Sequence, residues 1–120
     1  MTDGSTTSDL AGAAARRALD DAGLVPSDIG LVVVATSTPD QPLPSTASLV
    51  ARDLGLRCPS FDLTAANAGW VYSLVTAAAM VHASGGPPAH VVAADVLDRL
   101  VHPPGRTPAP RFADGAAAVV

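Results

Sequence analysis

Between Ser8 and Ala22 the apolar residues Leu10, Ala14, Ala15, Ala18, Leu19 and Ala22 recur at the spacing of one helix face. A Ser or Thr just upstream is suited to cap this amphipathic helix, and Gly23 is suited to stop it. After the turn Val25-Pro26-Ser27-Asp28, the segment Ile29 to Thr36 contains Leu31-Val32-Val33-Val34-Ala35. That run is apolar on both faces, as a strand in a helix-covered parallel sheet must be. A loop rich in Thr and Pro leads to a second helix, Ser45 to Leu54, with Ala47, Leu49, Val50 and Leu54 inward, Arg52 and Asp53 outward, and Gly55 at its end. Cys58 to Leu63 reads as a short strand. Asn67 to Ser84 reads as a third helix, apolar on nearly every side, which predicts burial on several faces; Gly85-Gly86-Pro87-Pro88 ends it. His90 to Asp95 predicts a strand, Val96 to Val101 a helical turn, and Phe112 to Val120 a last strand behind the loop Pro103 to Pro110. The alternation of helices and strands predicts an α/β fold in three layers, with right-handed parallel crossovers and a buried third helix.

Length allows one such domain over residues 1–120, since single domains usually run to about 100–200 residues. Hydrophobic residues make up 48% of the chain and charged residues 15%, which excludes disorder as the default. The stretch from Leu63 to Ala94 carries no charge, yet Asn67, Ser73, Thr76, His82, Ser84 and the Gly-Pro breaker interrupt it, and its apolar part is mostly Ala. It does not read as a membrane span, which needs about 20 strongly apolar residues. Every cation is an Arg and every anion an Asp, giving a net charge of -4 with no basic cluster, so nucleic acid is not an expected partner. A single cysteine and the lack of a cationic, then apolar, leader point to a cytoplasmic protein.

The densest constellation is Phe61-Asp62-Leu63-Thr64-Ala65-Ala66-Asn67-Ala68-Gly69-Trp70. A short strand, a tight turn of small residues and a helix opening at once expose one side chain at a helix N-terminus, and Asn67 is that side chain. Around it stand Thr6-Thr7-Ser8-Asp9-Leu10-Ala11, Val32-Val33-Val34-Ala35-Thr36-Ser37-Thr38-Pro39-Asp40, Leu43-Pro44-Ser45-Thr46-Ala47, Cys58-Pro59-Ser60-Phe61-Asp62-Leu63, Val91-Val92-Ala93-Ala94-Asp95-Val96-Leu97 and Phe112-Ala113-Asp114-Gly115-Ala116. In this order and spacing the chain resembles the 3-oxoacyl-(acyl-carrier-protein) synthases III, the ketoacyl synthase III branch of the thiolase superfamily. The resemblance covers essentially the whole chain and implies a partial, N-terminal thiolase-like domain. That domain would have three layers, a buried central helix and a mixed, mostly parallel sheet, its four strands all parallel except the last. A full member is about three times as long, so the first strand and the C-terminal half of the family pattern have no counterpart here.

The resemblance implies a lineage in acyl-thioester condensation, in fatty-acid or polyketide assembly. It also implies acyl-CoA or acyl-carrier protein as partners, no cofactor, no metal, and a homo-oligomer or a complementary C-terminal half. At the position of Asn67 the family carries a nucleophilic Cys, activated at the helix N-terminus, which takes the acyl group. An amide cannot do this, so the chain is expected to be catalytically incompetent. None of His82, His90 or His102 matches the family's catalytic His, which belongs with its catalytic Asn to the C-terminal half. An alternative is an acyltransferase or malonyl-thioester decarboxylase variant using the Asn67 anion site with a partner half; a non-catalytic acyl-binding or interaction module is a third reading.

Two residues stand as site candidates, each with a structural reading beside the functional one. Asn67 fits a strained turn and a helix cap as well as an imitation of an acyl-bound or oxyanion state. Leu43 matches a family position that reaches across the dimer two-fold into the neighbour's acyl pocket, and equally fits a hydrophobic staple. Cys58 is expected to be a buried small apolar residue. Asp62, Asp95 and Asp114, at strand ends, are expected to bind loop amides rather than act as catalysts. Pro108 and Pro110 should shorten or disturb the last strand.

Overall fold

A computed structural model describes residues 4–97 and 113–120. Helix α1, Thr7–Ala22, opens on a capping box in which the Thr6 side chain accepts from the Asp9 amide and the Asp9 carboxylate from the Thr6 amide. Gly23, at φ 67°, closes it in the left-handed region that costs glycine nothing. Its inward stripe is Thr7, Ala11, Ala15 and Leu19. Ala22, expected inward, is exposed where the last turn leaves the sheet. A short 3-10 turn, Pro26–Asp28, leads into strand β1, Leu31–Ala35, buried at every position.

Helix α2, Thr46–Leu54, is capped by Ser45 and stopped by Gly55. Strand β2, Ser60–Leu63, is half-exposed throughout because it lies at a sheet edge. Helix α3 runs Gly69–Ser84, strand β3 Ala89–Asp95 and strand β4 Gly115–Val119. The four strands stand in the order β2-β1-β3-β4. β1 is parallel to both β2 and β3, and β3 is antiparallel to β4, which is the pairing the resemblance implied.

Alternation along β1 divides the core. Val32 and Val34 meet Ala11, Ala15 and Leu19 of α1 and Ala47, Val50 and Ala51 of α2. Leu31 and Val33 point to the other face, where Ala77 of α3 and Val91 of β3 complete a smaller cluster. The expected three-layer α/β arrangement is thus present. The expected burial of the central helix on several faces is not: α3 buries one stripe, Gly69, Ser73 and Ala77, and leaves Val71, Tyr72, Val75 and Met80 exposed. Among the described residues the sheet packs against one side of it, so apolar character all round the helix does not become burial all round.

The last strand begins at Gly115 rather than Phe112, and Phe112 itself lies outside the described residues. So do the loop Pro103 to Pro110, His102 and most of the turn Val96 to Val101. Among the described residues no helix is long and apolar enough to cross a membrane.

Candidate functional site

The parallel strands β1, β2 and β3 release their C-terminal ends on one side of the sheet. There the Thr36 amide donates to the Leu63 carbonyl at 3.2 Å, and the Thr64 hydroxyl donates to the Thr36 carbonyl at 3.0 Å. These bonds hold the exit of β2 against the exit of β1. The chain then turns sharply. Ala65 has φ −149° and ψ 36°, Ala66 has φ 44°, and a 3-10 turn over Ala66–Ala68 precedes α3. A left-handed φ on a residue with a Cβ costs free energy and is sustained only by its surroundings. Here the strain falls on Ala66, one residue before Asn67, where sequence reasoning had placed it.

Asn67 is exposed at the start of the sixteen-residue helix α3, and its side chain makes no hydrogen bond among the described residues. It does not cap α3 either, because Ala68 holds the cap position and no side chain bonds there. The structural readings of Asn67 as strained residue and as cap are both replaced by a free amide at the positive end of a helix dipole.

Leu43 lies in the loop between β1 and α2, preceding a cis peptide to Pro44, and is 83% exposed. It therefore staples nothing. Asp62 and Asp95 do what strand-end carboxylates were expected to do. Asp62 accepts the amides of Thr46 at 2.9 Å and Ala47 at 2.7 Å. Asp95 accepts from the Ser37 amide at 2.8 Å and from the Thr36 hydroxyl at 3.2 Å. Asp114 is half-buried just before β4.

Cys58 is half-buried against the larger core cluster, before the opposite end of β2 from Asn67, and burial pushes its thiol pKa up. It is thus a poor thiolate rather than an activated one. His82 is exposed in the last turn of α3. His90 is wholly buried in β3, with neither ring nitrogen bonded and a pKa pushed down to about 4 by burial. Among the described residues no group of three or more His, Cys or Asp side chains could hold a metal. An apolar groove of about 500 Å³, lined in part by Leu74, Ala77, Val81, Val91 and Val119, lies toward the far end of α3, away from Asn67.

The site region overlaps a family pattern. Residues 61–120 match the model of the 3-oxoacyl-[acyl-carrier-protein (ACP)] synthase III family. The chain belongs to that family. A beta-ketoacyl-[acyl-carrier-protein] synthase III from Neisseria meningitidis serogroup C is 48% identical over 116 residues, 95% of this chain and 36% of the relative. Among solved structures, the 3-oxoacyl-[acyl-carrier-protein] synthase III of Aquifex aeolicus VF5 superimposes with a TM-score of 0.92 at 33% identity, covering 99% of this chain and 39% of that one. The Pseudomonas aeruginosa PAO1 synthase III gives 0.87 at 39% identity over 97% of this chain and 36% of that one. The chain thus spans little more than a third of these ketoacyl synthases III, and its α/β fold is the thiolase-like fold they share.

Proposed function

We propose that this chain carries the acyl-site junction of a ketoacyl synthase III-like protein of fatty-acid or polyketide assembly, and that it forms no acyl-enzyme. The carrying observation is Asn67, an uncharged, unbonded amide at the mouth of α3 in a chain of this family. Thioester exchange needs a nucleophile that can lose a proton and displace the CoA or carrier thiolate. A carboxamide does neither. Condensation would further need the family's His and Asn, which match no residue here; the remainder of the family's length would supply them, in the same polypeptide or as a separate chain. Acyl-CoA or acyl-carrier protein is the proposed ligand class, and Leu43, exposed on its loop, is proposed to line an acyl pocket across a dimer.

A second reading is favoured by the same free amide. Its N–H donors, with the N-terminal amides of α3, could bind a malonyl-thioester carbonyl. On loss of carbon dioxide the bonding electrons would pass to the thioester enolate, whose oxygen the donors stabilise. Such a decarboxylase would still need a partner half.

The test is intact mass after incubation with acetyl-CoA, where no adduct is expected; an acetyl group mapped to Cys58 or to any Ser rejects the proposal. In Asn67→Cys the new thiol should have a pKa below about 8.5 and be alkylated faster than Cys58 at neutral pH. A residue-67 thiol no more reactive than Cys58 would remove the nucleophile position from residue 67. Malonyl-CoA turned over to acetyl-CoA by the parent chain with a C-terminal half added, and lost in Asn67→Ala, would favour the second reading.

A further inference from the structure

We infer that Asp62 is a positioning residue, whose carboxylate fixes the Leu43 loop relative to the residue-67 junction. The inference rests on the proposed reading of Leu43 and the junction as parts of one acyl site.

Residues 39–44, between β1 and α2, are exposed, and the chain on either side of them is tied by carboxylates from the exits of two other strands. At the start Asp95, the last residue of β3, receives the Thr36 hydroxyl, the Ser37 amide and the Thr38 hydroxyl. In the middle the Ser8 hydroxyl of α1 donates to Asp40. At the end Asp62, from β2, takes the amides of Thr46 and Ala47, and the hydroxyls of Ser48 and Ser60 make a further, longer bond between α2 and β2 at 3.3 Å. Leu43 lies three residues before Thr46, so about 10 Å of chain at full extension separates it from that anchor. Asp62 in turn lies five residues before Asn67, on the strand that runs into the junction.

The first amides of a helix have no partner within it. In α2 the Ser45 hydroxyl takes care of one of them, accepting from Ser48, while the Ser45 carbonyl accepts the first intrahelical bond from Leu49. The Thr46 and Ala47 amides are left without a local acceptor, and the chain meets them with a carboxylate sixteen and fifteen residues further on. Two charge-assisted bonds at the positive end of a helix make a directional anchor. Because that anchor belongs to β2, displacement of the junction strand and displacement of the Leu43 loop are one motion.

The experiment uses the full chain, with Asp62→Asn as the test, Asp62→Glu as the conservative variant, and Gly23→Ala as a control that strains the C-terminal end of α1, the end away from the loop. Hydrogen exchange followed by mass spectrometry reads the loop, and titration with octanoyl-CoA and acetyl-CoA reads the acyl site. In Asp62→Asn, exchange of residues 43–48 should rise about tenfold while α1 and β1 keep their protection. The octanoyl-to-acetyl affinity ratio should fall about threefold. Asp62→Glu should restore both in part, and Gly23→Ala should lower Tm with neither change. Unchanged exchange at 43–48, or loosening spread evenly over α1 and β1, overturns the positioning role; local loosening with an unchanged ratio overturns its link to acyl binding. Should Asp62→Asn fail to fold, exchange in the parent decides, since the Thr46 and Ala47 amides should open together with β2 and not with the second turn of α2. If the parent binds neither ester, the acyl-site reading falls, and exchange alone decides what Asp62 holds.

Discussion

His90 puts an imidazole in the middle of the sheet with no exposed surface and no bond to either ring nitrogen. Burial lowers its pKa from 6.5 to about 4. Above pH 6.5 folded and unfolded chains both hold it neutral. As pH falls from 6.5 to about 4 the unfolded chain takes up a proton that the folded chain refuses, so stability is lost over that window and levels off below it. The full loss is on the order of 3 kcal/mol. His90→Leu should abolish this slope and add about 1–3 kcal/mol at pH 7 by removing unsatisfied buried nitrogens. Urea unfolding of both chains at several pH values measures it, and parallel pH slopes would reject the assignment. Asp62 shows a different limit of residue-level reading. Its position at a strand end is visible in the sequence, but its partners lie on another helix and no local spacing announces them.

Helices α1 and α2 follow rules that act within a few residues, and their ends are legible for that reason. Thr6 with Asp9, Ser45 with Ser48, and the left-handed Gly23 and Gly55 all satisfy backbone groups of the adjacent turn. Ser45→Ala should therefore cost about 1 kcal/mol, read as a lower Tm with the α3 and β3 exchange pattern kept. α3 departs from these rules at its start. It has no side-chain cap, and its 3-10 prelude bends through Ala66 at φ 44°. The Ala and Gly residues there permit several conformations, and what selects one is the pair of bonds joining Thr36 to the exit of β2. The helix was thus legible as a helix, and the conformation of the turn that presents Asn67 was not.

At the scale of the molecule, α3 exposes Val71, Tyr72, Val75 and Met80 along a helix that contains no Asp or Arg. Contiguous apolar surface of this kind is uncommon on monomers. The isolated chain should self-associate at high micromolar concentration, as read by light scattering, and Val75→Asp should reduce the association without altering the circular dichroism spectrum. A well-behaved monomer would count against this face as a contact and against a partner half seated on it. What the sequence determined by itself was the alternation of elements, the ends of α1 and α2 and the exclusion of disorder, because each depends on neighbours in the chain or on composition. The reversed direction of the last strand and the match of residue 67 to a nucleophile position came from resemblance to a family. The tertiary structure alone decided which side of α3 is buried, that Ala66 takes the strain, that Leu43 stands free, and that Asp62 and Asp95 hold the intervening loop at its ends. Those outcomes depend on where distant segments meet, and residues sixteen or more positions apart are matched by the fold rather than by any pattern along the chain.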